Sequence, residues 1–129
     1  MYKVTKEIQF CYGHRLMEYT GKCAHPHGHN ARVEVELIAD ILDKKGMVMD
    51  FSEIKTHLKN WVDGELDHRM ILRRDDPLVE WLKSQKEPVY LLDENPTAES
   101  LAKLIYLYMK KLGYPVSRVR FWETPTSFA

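Results

Sequence analysis

The chain has 129 residues, enough for one domain with a modest core but few for a site with several walls, so an interface between copies is a natural place for chemistry. Its 19 basic and 19 acidic side chains cancel, and no stretch carries five or more like charges, which argues against a nucleic-acid partner or an anionic membrane surface. Met1 to Phe10 mixes Lys3, Lys6 and Glu7 into its apolar residues and reads as neither signal peptide nor membrane span; the expectation is a cytoplasmic protein whose Cys11 and Cys23 stay thiols.

Lys3 to Phe10 alternates in side-chain character, and Ala31 to Ala39 does so more clearly, with Val33, Val35 and Leu37 on one face against Arg32, Glu34 and Glu36 on the other. Both segments read as half-buried antiparallel strands, and Gly13 to Gly28 between them reads as a loop. After a turn at Asp43 to Gly46, Asp50 caps a helix with Glu53 as its capping-box partner and Ile54, Leu58, Trp61 and Val62 as its apolar stripe, ending near Gly64 to Leu66. Pro77 to Pro88 holds Leu78, Val79, Trp81 and Leu82, which fit one short helix or a cover over a neighbour. Val89 to Leu92 fits a short strand. Pro96-Thr97-Ala98-Glu99 starts a second long helix, with Thr97 as cap, Leu101, Leu104, Ile105, Tyr108 and Leu112 as its buried stripe and Gly113 closing it. Val116 to Trp122 alternates again as a strand. Strand, strand, helix, helix, strand predicts a single α+β domain over residues 1–129, with helices on one face of an antiparallel sheet.

Four of the six histidines fall between His14 and His29, a density that core packing has no reason to produce. His27 and His29 are two residues apart, so in an extended segment their imidazoles share a face, and His14 supplies a third nitrogen if the two segments pair. Three neutral imidazoles with a fourth position open is a catalytic zinc arrangement, and no Cys-x-x-Cys pair exists to make a closed one. A structural zinc knot of Cys11, Cys23, His27 and His29 is the competing use of these residues. Cys23 is either a buried, inert thiol or, beside positive charge, a thiolate serving as base or nucleophile. Cys11, with His14 as its sole histidine neighbour in sequence, reads as structural. Asp67-His68 is either a surface pair or a proton shuttle in which the carboxylate fixes the imidazole tautomer. Glu123 is either an exposed strand-end acid or a bidentate acceptor for a planar nitrogen heterocycle. His57 and His25 have weaker claims, His25 being turned away by Pro26.

Phe10-x-x-x-His14-Arg15-Leu16, Cys23-x-x-x-His27-Gly28-His29-Asn30, Met47-Val48-Met49-Asp50-Phe51, Leu66-Asp67-His68-Arg69, Asn95-Pro96-Thr97-Ala98-Glu99 and Glu123-Thr124 occur in this order. Together they resemble the family of 6-pyruvoyl and 6-carboxytetrahydropterin synthases over nearly the whole chain. The resemblance implies a tunnelling fold, a four-stranded antiparallel sheet with two helices on one side, whose subunits join into a barrel, commonly a hexamer of two trimers with active sites between subunits. It implies that His14, His27 and His29 bind zinc, that Cys23 is the catalytic base, that Asp67 and His68 relay protons and that Glu123 anchors a pterin. The implied substrate is 7,8-dihydroneopterin triphosphate, with zinc holding its side-chain hydroxyls as a Lewis acid. The carboxy branch, on the path to queuosine, also loses acetaldehyde; the pyruvoyl branch keeps the side chain, and a noncatalytic pterin- or zinc-binding paralogue is the remaining alternative. Departures from the family pattern are Cys11-Tyr12-Gly13 where small residues are usual, Ala31 where an aromatic often follows, His25-Pro26 in the spacer, and few residues after Glu123 for a full final strand.

Overall fold

Side-chain alternation carries the first two strands further than their apolar residues suggest. In the computed structural model, which describes residues 1–129, strand β1 spans Tyr2–His14 and β2 spans His27–Ala39. They pair antiparallel along their whole length, from Tyr2 opposite Ala39 to His14 opposite His27. The expected loop from Gly13 to Gly28 is therefore shorter, because both glycines belong to the ladder and face each other in it. A side chain at Gly28 would put its Cβ 3.0 Å from the Tyr12 carbonyl oxygen, and one at Gly13 would collide with the Met70 sulfur. Between the strands the chain makes one 3-10 turn, Lys22–Ala24.

The remaining elements are α1 (Phe51–Glu65), β3 (Arg69–Arg73), α2 (Leu78–Ser84), β4 (Val89–Leu92), α3 (Ala98–Lys111), β5 (Val116–Thr124) and β6 (Ser127–Phe128). The expected four-stranded antiparallel sheet with two helices needs correction: the sheet has six strands in the order β4-β3-β1-β2-β5-β6, and there are three helices. It is also mixed, since β3 runs parallel to β1 and β4 parallel to β3. β3 has no alternation because it is covered on both faces: Ile71 joins the main core, while Leu72 packs with Val79 and Leu82 of α2. α2 thus sits across the sheet from the face that holds α1 and α3. After Glu123 the chain turns back into β6, and Phe121 and Ala129 exchange backbone hydrogen bonds of 2.9 and 3.1 Å, so the final strand is completed by a hairpin.

Ile8, Phe10 and Tyr12 of β1, Ala31 to Leu37 in alternate positions of β2, and Phe121 of β5 face Ile54, Leu58 and Val62 of α1 and Leu101, Ile105 and Met109 of α3. Met109 is buried where Leu112 was expected, and Leu112 is exposed at the helix end, where Gly113 takes φ 90°. Asp50 caps α1 by accepting from the Ser52 amide at 2.8 Å, without a reciprocal bond from Glu53; Thr97 caps α3 by accepting from the Ser100 amide at 3.2 Å. The opposite face of β1, β2 and β5 carries ion pairs, Arg32 with Glu7, Arg120 with Glu34, and Arg118 and Lys3 with Glu36.

Arg15, one residue beyond His14, is anchored by the fully buried Asp76 carboxylate, which accepts from Arg15 Nε at 2.8 Å and from Nη2, and from the Leu78 amide at 2.8 Å. Hydrogen bonding from Arg15 holds the Asp76 carboxyl below its ordinary value, although burial opposes this. A depressed folded-state value means that the stabilisation is complete at neutral pH and is lost as pH falls through the acid range. Asp76→Asn is expected to destabilise the fold by about 2 kcal/mol at pH 7, because it leaves the Arg15 charge half-buried and unpaired. Urea unfolding at pH 7 and pH 3 checks this: the gap between the two proteins narrows in acid, and equal midpoints at pH 7 would contradict it.

Candidate metal centre

Antiparallel pairing brings the three histidines together from two strands. His14 lies opposite His27, His29 lies opposite Tyr12, and all three side chains point to the face that holds the core. Their ring centroids are 4.5 to 5.1 Å apart, and one donor atom from each lies within 4.8 Å of the others. His14 Nδ1–H donates to the Pro96 carbonyl at 2.7 Å, and His27 Nδ1–H donates to the His25 carbonyl at 2.7 Å. A carbonyl can only accept, so both rings are set as the tautomer whose Nε2 carries a lone pair. These two Nε2 atoms face each other at 3.0 Å, two lone pairs with no proton between them. Such a contact is repulsive alone and is satisfied by a cation, whose tetrahedral nitrogen ligands stand about 3.3 Å apart at zinc bond lengths. Burial lowers the pKa of His14 and of His29, outweighing the nearby Glu123 carboxylate, so both are neutral at pH 7 as a metal ligand must be. The donor set therefore fits zinc.

Glu123, from β5, places Oε1 3.6 Å from His14 Nε2 and 4.0 Å from His29 Nε2, and accepts from the Tyr12 hydroxyl at 3.3 Å. Burial, then the Glu123 charge, keep the Tyr12 phenol protonated far above its usual range, so it acts as a donor here. Cys23, in the Lys22–Ala24 turn, is half-buried and lines a cleft of ≈ 260 Å³ with His14, Leu16, Thr97, Glu99 and Glu123. The turn is held to β1 by the Leu16 amide donating to the Cys23 carbonyl at 2.8 Å. Glu99, read from sequence as a helix-start acid, thus walls the same cleft as Cys23.

A match to the family model for 6-pyruvoyl tetrahydropterin synthase runs over residues 3–129. The chain belongs to that family. Among synthases, it is 36% identical over 141 residues to 6-carboxy-5,6,7,8-tetrahydropterin synthase of Rickettsia conorii, covering 99% of this chain and 98% of the relative. The Haemophilus influenzae protein of the same name is 33% identical, with 99% and 96% covered. An uncharacterized protein from Wolinella succinogenes has a crystal structure matching at TM-score 0.81 and 30% identity, with 99% and 96% covered. The 6-pyruvoyl tetrahydropterin synthase of Plasmodium falciparum, at 20% identity, shares the fold with TM-score 0.73 over 99% of this chain and 94% of that one. This synthase-family chain is an enzyme, a pterin lyase like the 6-carboxytetrahydropterin synthases. No helix in it is long and apolar enough to cross a membrane.

In this family member, Asp67 and His68 lie between α1 and β3, and their side chains do meet: His68 Nδ1–H donates to Asp67 Oδ2 at 2.8 Å. Burial would raise the Asp67 carboxyl, but bonds from His68 and from the Cys11 amide, with Lys59 nearby, outweigh it and the net shift is downward. The pair neighbours Cys11 rather than Cys23, and His68 and Cys23 line different clefts. Cys11 alternates with Phe10 and Tyr12 along β1, which puts it on the face opposite the three histidines. His25 contributes through its carbonyl alone, and His57 packs edge-on against Tyr114 at 5.8 Å, away from the site.

Proposed function

We propose that this pterin lyase is a zinc-dependent 6-carboxytetrahydropterin synthase. It converts 7,8-dihydroneopterin triphosphate to 6-carboxy-5,6,7,8-tetrahydropterin with release of acetaldehyde and triphosphate, a step toward queuosine and related deazapurines. The observation that carries the reading is the pair of Nε2 lone pairs, His14 and His27, aimed at one point beside His29 with both Nδ1 atoms already engaged. The names of the relatives support the carboxy branch.

His14, His27 and His29 hold the zinc, which when bound supplies Lewis acidity toward the hydroxyls of the substrate side chain. Glu123, steadied by the Tyr12 hydroxyl, accepts the paired N–H groups of the pterin ring, and its place beside His14 sets the ring next to the metal centre. Cys23, in the same cleft, acts as the base that removes a carbon-bound proton at the substrate side chain. Asp67 keeps the proton of His68 on Nδ1, which frees Nε2 to take up and return a proton during the same turnover. Because Cys23 and His68 line different clefts of one chain, the relay that serves a given Cys23 comes from a neighbouring copy, in line with a barrel-shaped homo-hexamer whose sites lie between subunits.

His27→Ala tests the metal assignment. It is expected to weaken zinc binding by at least about 100-fold while the circular dichroism spectrum is kept, read by metal analysis and chelator competition. Retention of zinc at wild-type affinity would show that the three histidines are not its ligands.

A further inference from the structure

Cys11 is the third member of a triad that the three-histidine centre does not use. His68 Nδ1–H is engaged by Asp67, which turns Nε2 toward Cys11, whose Sγ lies 3.4 Å from that atom. The main chain closes the arrangement from both sides: the Cys11 amide donates to Asp67 Oδ1 at 3.0 Å, and the His68 amide donates to the Cys11 carbonyl at 2.7 Å. His68 adopts φ 58°, a left-handed conformation that is unfavourable for a side-chain-bearing residue and is kept where surrounding contacts over-determine it. Here those contacts put the ring against the sulfur. Cys11 and His68 line an open cleft of ≈ 530 Å³ with His29, Arg69, Met70 and Glu87. Within one chain the His68 side chain is 78% exposed and Cys11 is half-buried.

A nucleophile within reach of a base, with the base oriented by a third group, is the arrangement that activates thiols. We propose that Cys11, His68 and Asp67 form a reactive-thiol centre, a modification site whose partners are small disulfides of the glutathione class. His68 Nε2 takes the Cys11 thiol proton, and Asp67 stabilises the imidazolium. The thiolate attacks one sulfur of the disulfide; a Cys11–sulfur bond forms as the original sulfur–sulfur bond breaks, and the departing thiolate takes the proton from His68. The electron pair of the broken sulfur–sulfur bond leaves with the departing sulfur, so Cys11 rises to the disulfide oxidation level as the leaving half falls to a thiol, and a free thiol reverses the exchange. An adduct on Cys11 covers His68 Nε2, the nitrogen that the relay uses. That consequence rests on the relay reading given above, whereas the thiol exchange does not.

The experiment is intact-protein mass spectrometry with peptide mapping after exposure of the full-length enzyme to oxidised glutathione at pH 7. One glutathione is expected per chain, at Cys11, and Cys23→Ser keeps that rate. His68→Asn, a residue that tolerates the left-handed backbone, slows the reaction at Cys11 at least about tenfold, and Asp67→Asn slows it less. Modification of Cys11 no faster than Cys23, or at an unchanged rate in His68→Asn, would overturn the centre. Turnover of the modified enzyme is expected to fall and to return with dithiothreitol. A Cys11 adduct with undiminished turnover would leave the exchange in place and overturn the relay role of His68 instead.

Discussion

Cys23→Ala is expected to lower kcat by about 10²–10⁴-fold, the range over which a positioned acid–base group contributes, while zinc content stays at the wild-type level. The thiol shares its cleft with His14 and Glu123 but has no hydrogen bond to either, so its removal leaves the three imidazoles and their carbonyl partners in place. Its truncation also opens little space, since the residue is half-buried on a surface turn. Steady-state kinetics with metal analysis on the same preparation separate the roles. If Cys23 were a metal ligand, zinc would be lost along with turnover; if the chain only bound pterin, the substitution would change neither.

Mixing provides the second large effect. Cys23→Ala and His68→Ala homo-oligomers are each expected to be nearly inactive, yet oligomers reassembled from equal amounts of the two regain roughly a quarter of wild-type activity, the fraction of interfaces that unite an intact Cys23 with an intact His68. The basis is the placement of the two groups. Alternation along β1 sends Tyr12 and His14 to the core face and Cys11, with Asp67 and His68 beside it, to the other, so one chain keeps the thiol and the relay in separate clefts. Activity that stays absent in the mixture, with native assembly verified by light scattering, would mean that each chain works alone.

The parts of this architecture that were legible in the sequence are those governed by local periodicity and local caps. Two-residue spacing put His27 and His29 on one face, and Asp50 and Thr97 marked helix starts because a side-chain oxygen beside a free amide is a local arrangement. β3 escaped because a strand covered on both faces loses the alternation that identifies it, whereas β4 matches the short strand expected at Val89 to Leu92. The orientation of His14 escaped because its partner is the Pro96 carbonyl, 82 residues away and invisible in any side-chain pattern. The contact of Cys11 with His68 escaped for the same reason: the histidine lies 57 residues on, brought close by the parallel pairing of β1 with β3 and a left-handed residue that no propensity favours. Met109 replaced Leu112 in the core because the helix ends at Lys111, which leaves Leu112 in the cap and exposed.

The measurement that tests the central claim most directly is product analysis by mass, with zinc-loaded enzyme supplied with 7,8-dihydroneopterin triphosphate. The proposed function, whose carboxy branch rests on the names of the relatives, predicts 6-carboxy-5,6,7,8-tetrahydropterin together with acetaldehyde and triphosphate. A pyruvoyl product without acetaldehyde would contradict the carboxy branch, and unconsumed substrate would contradict the assignment as a whole.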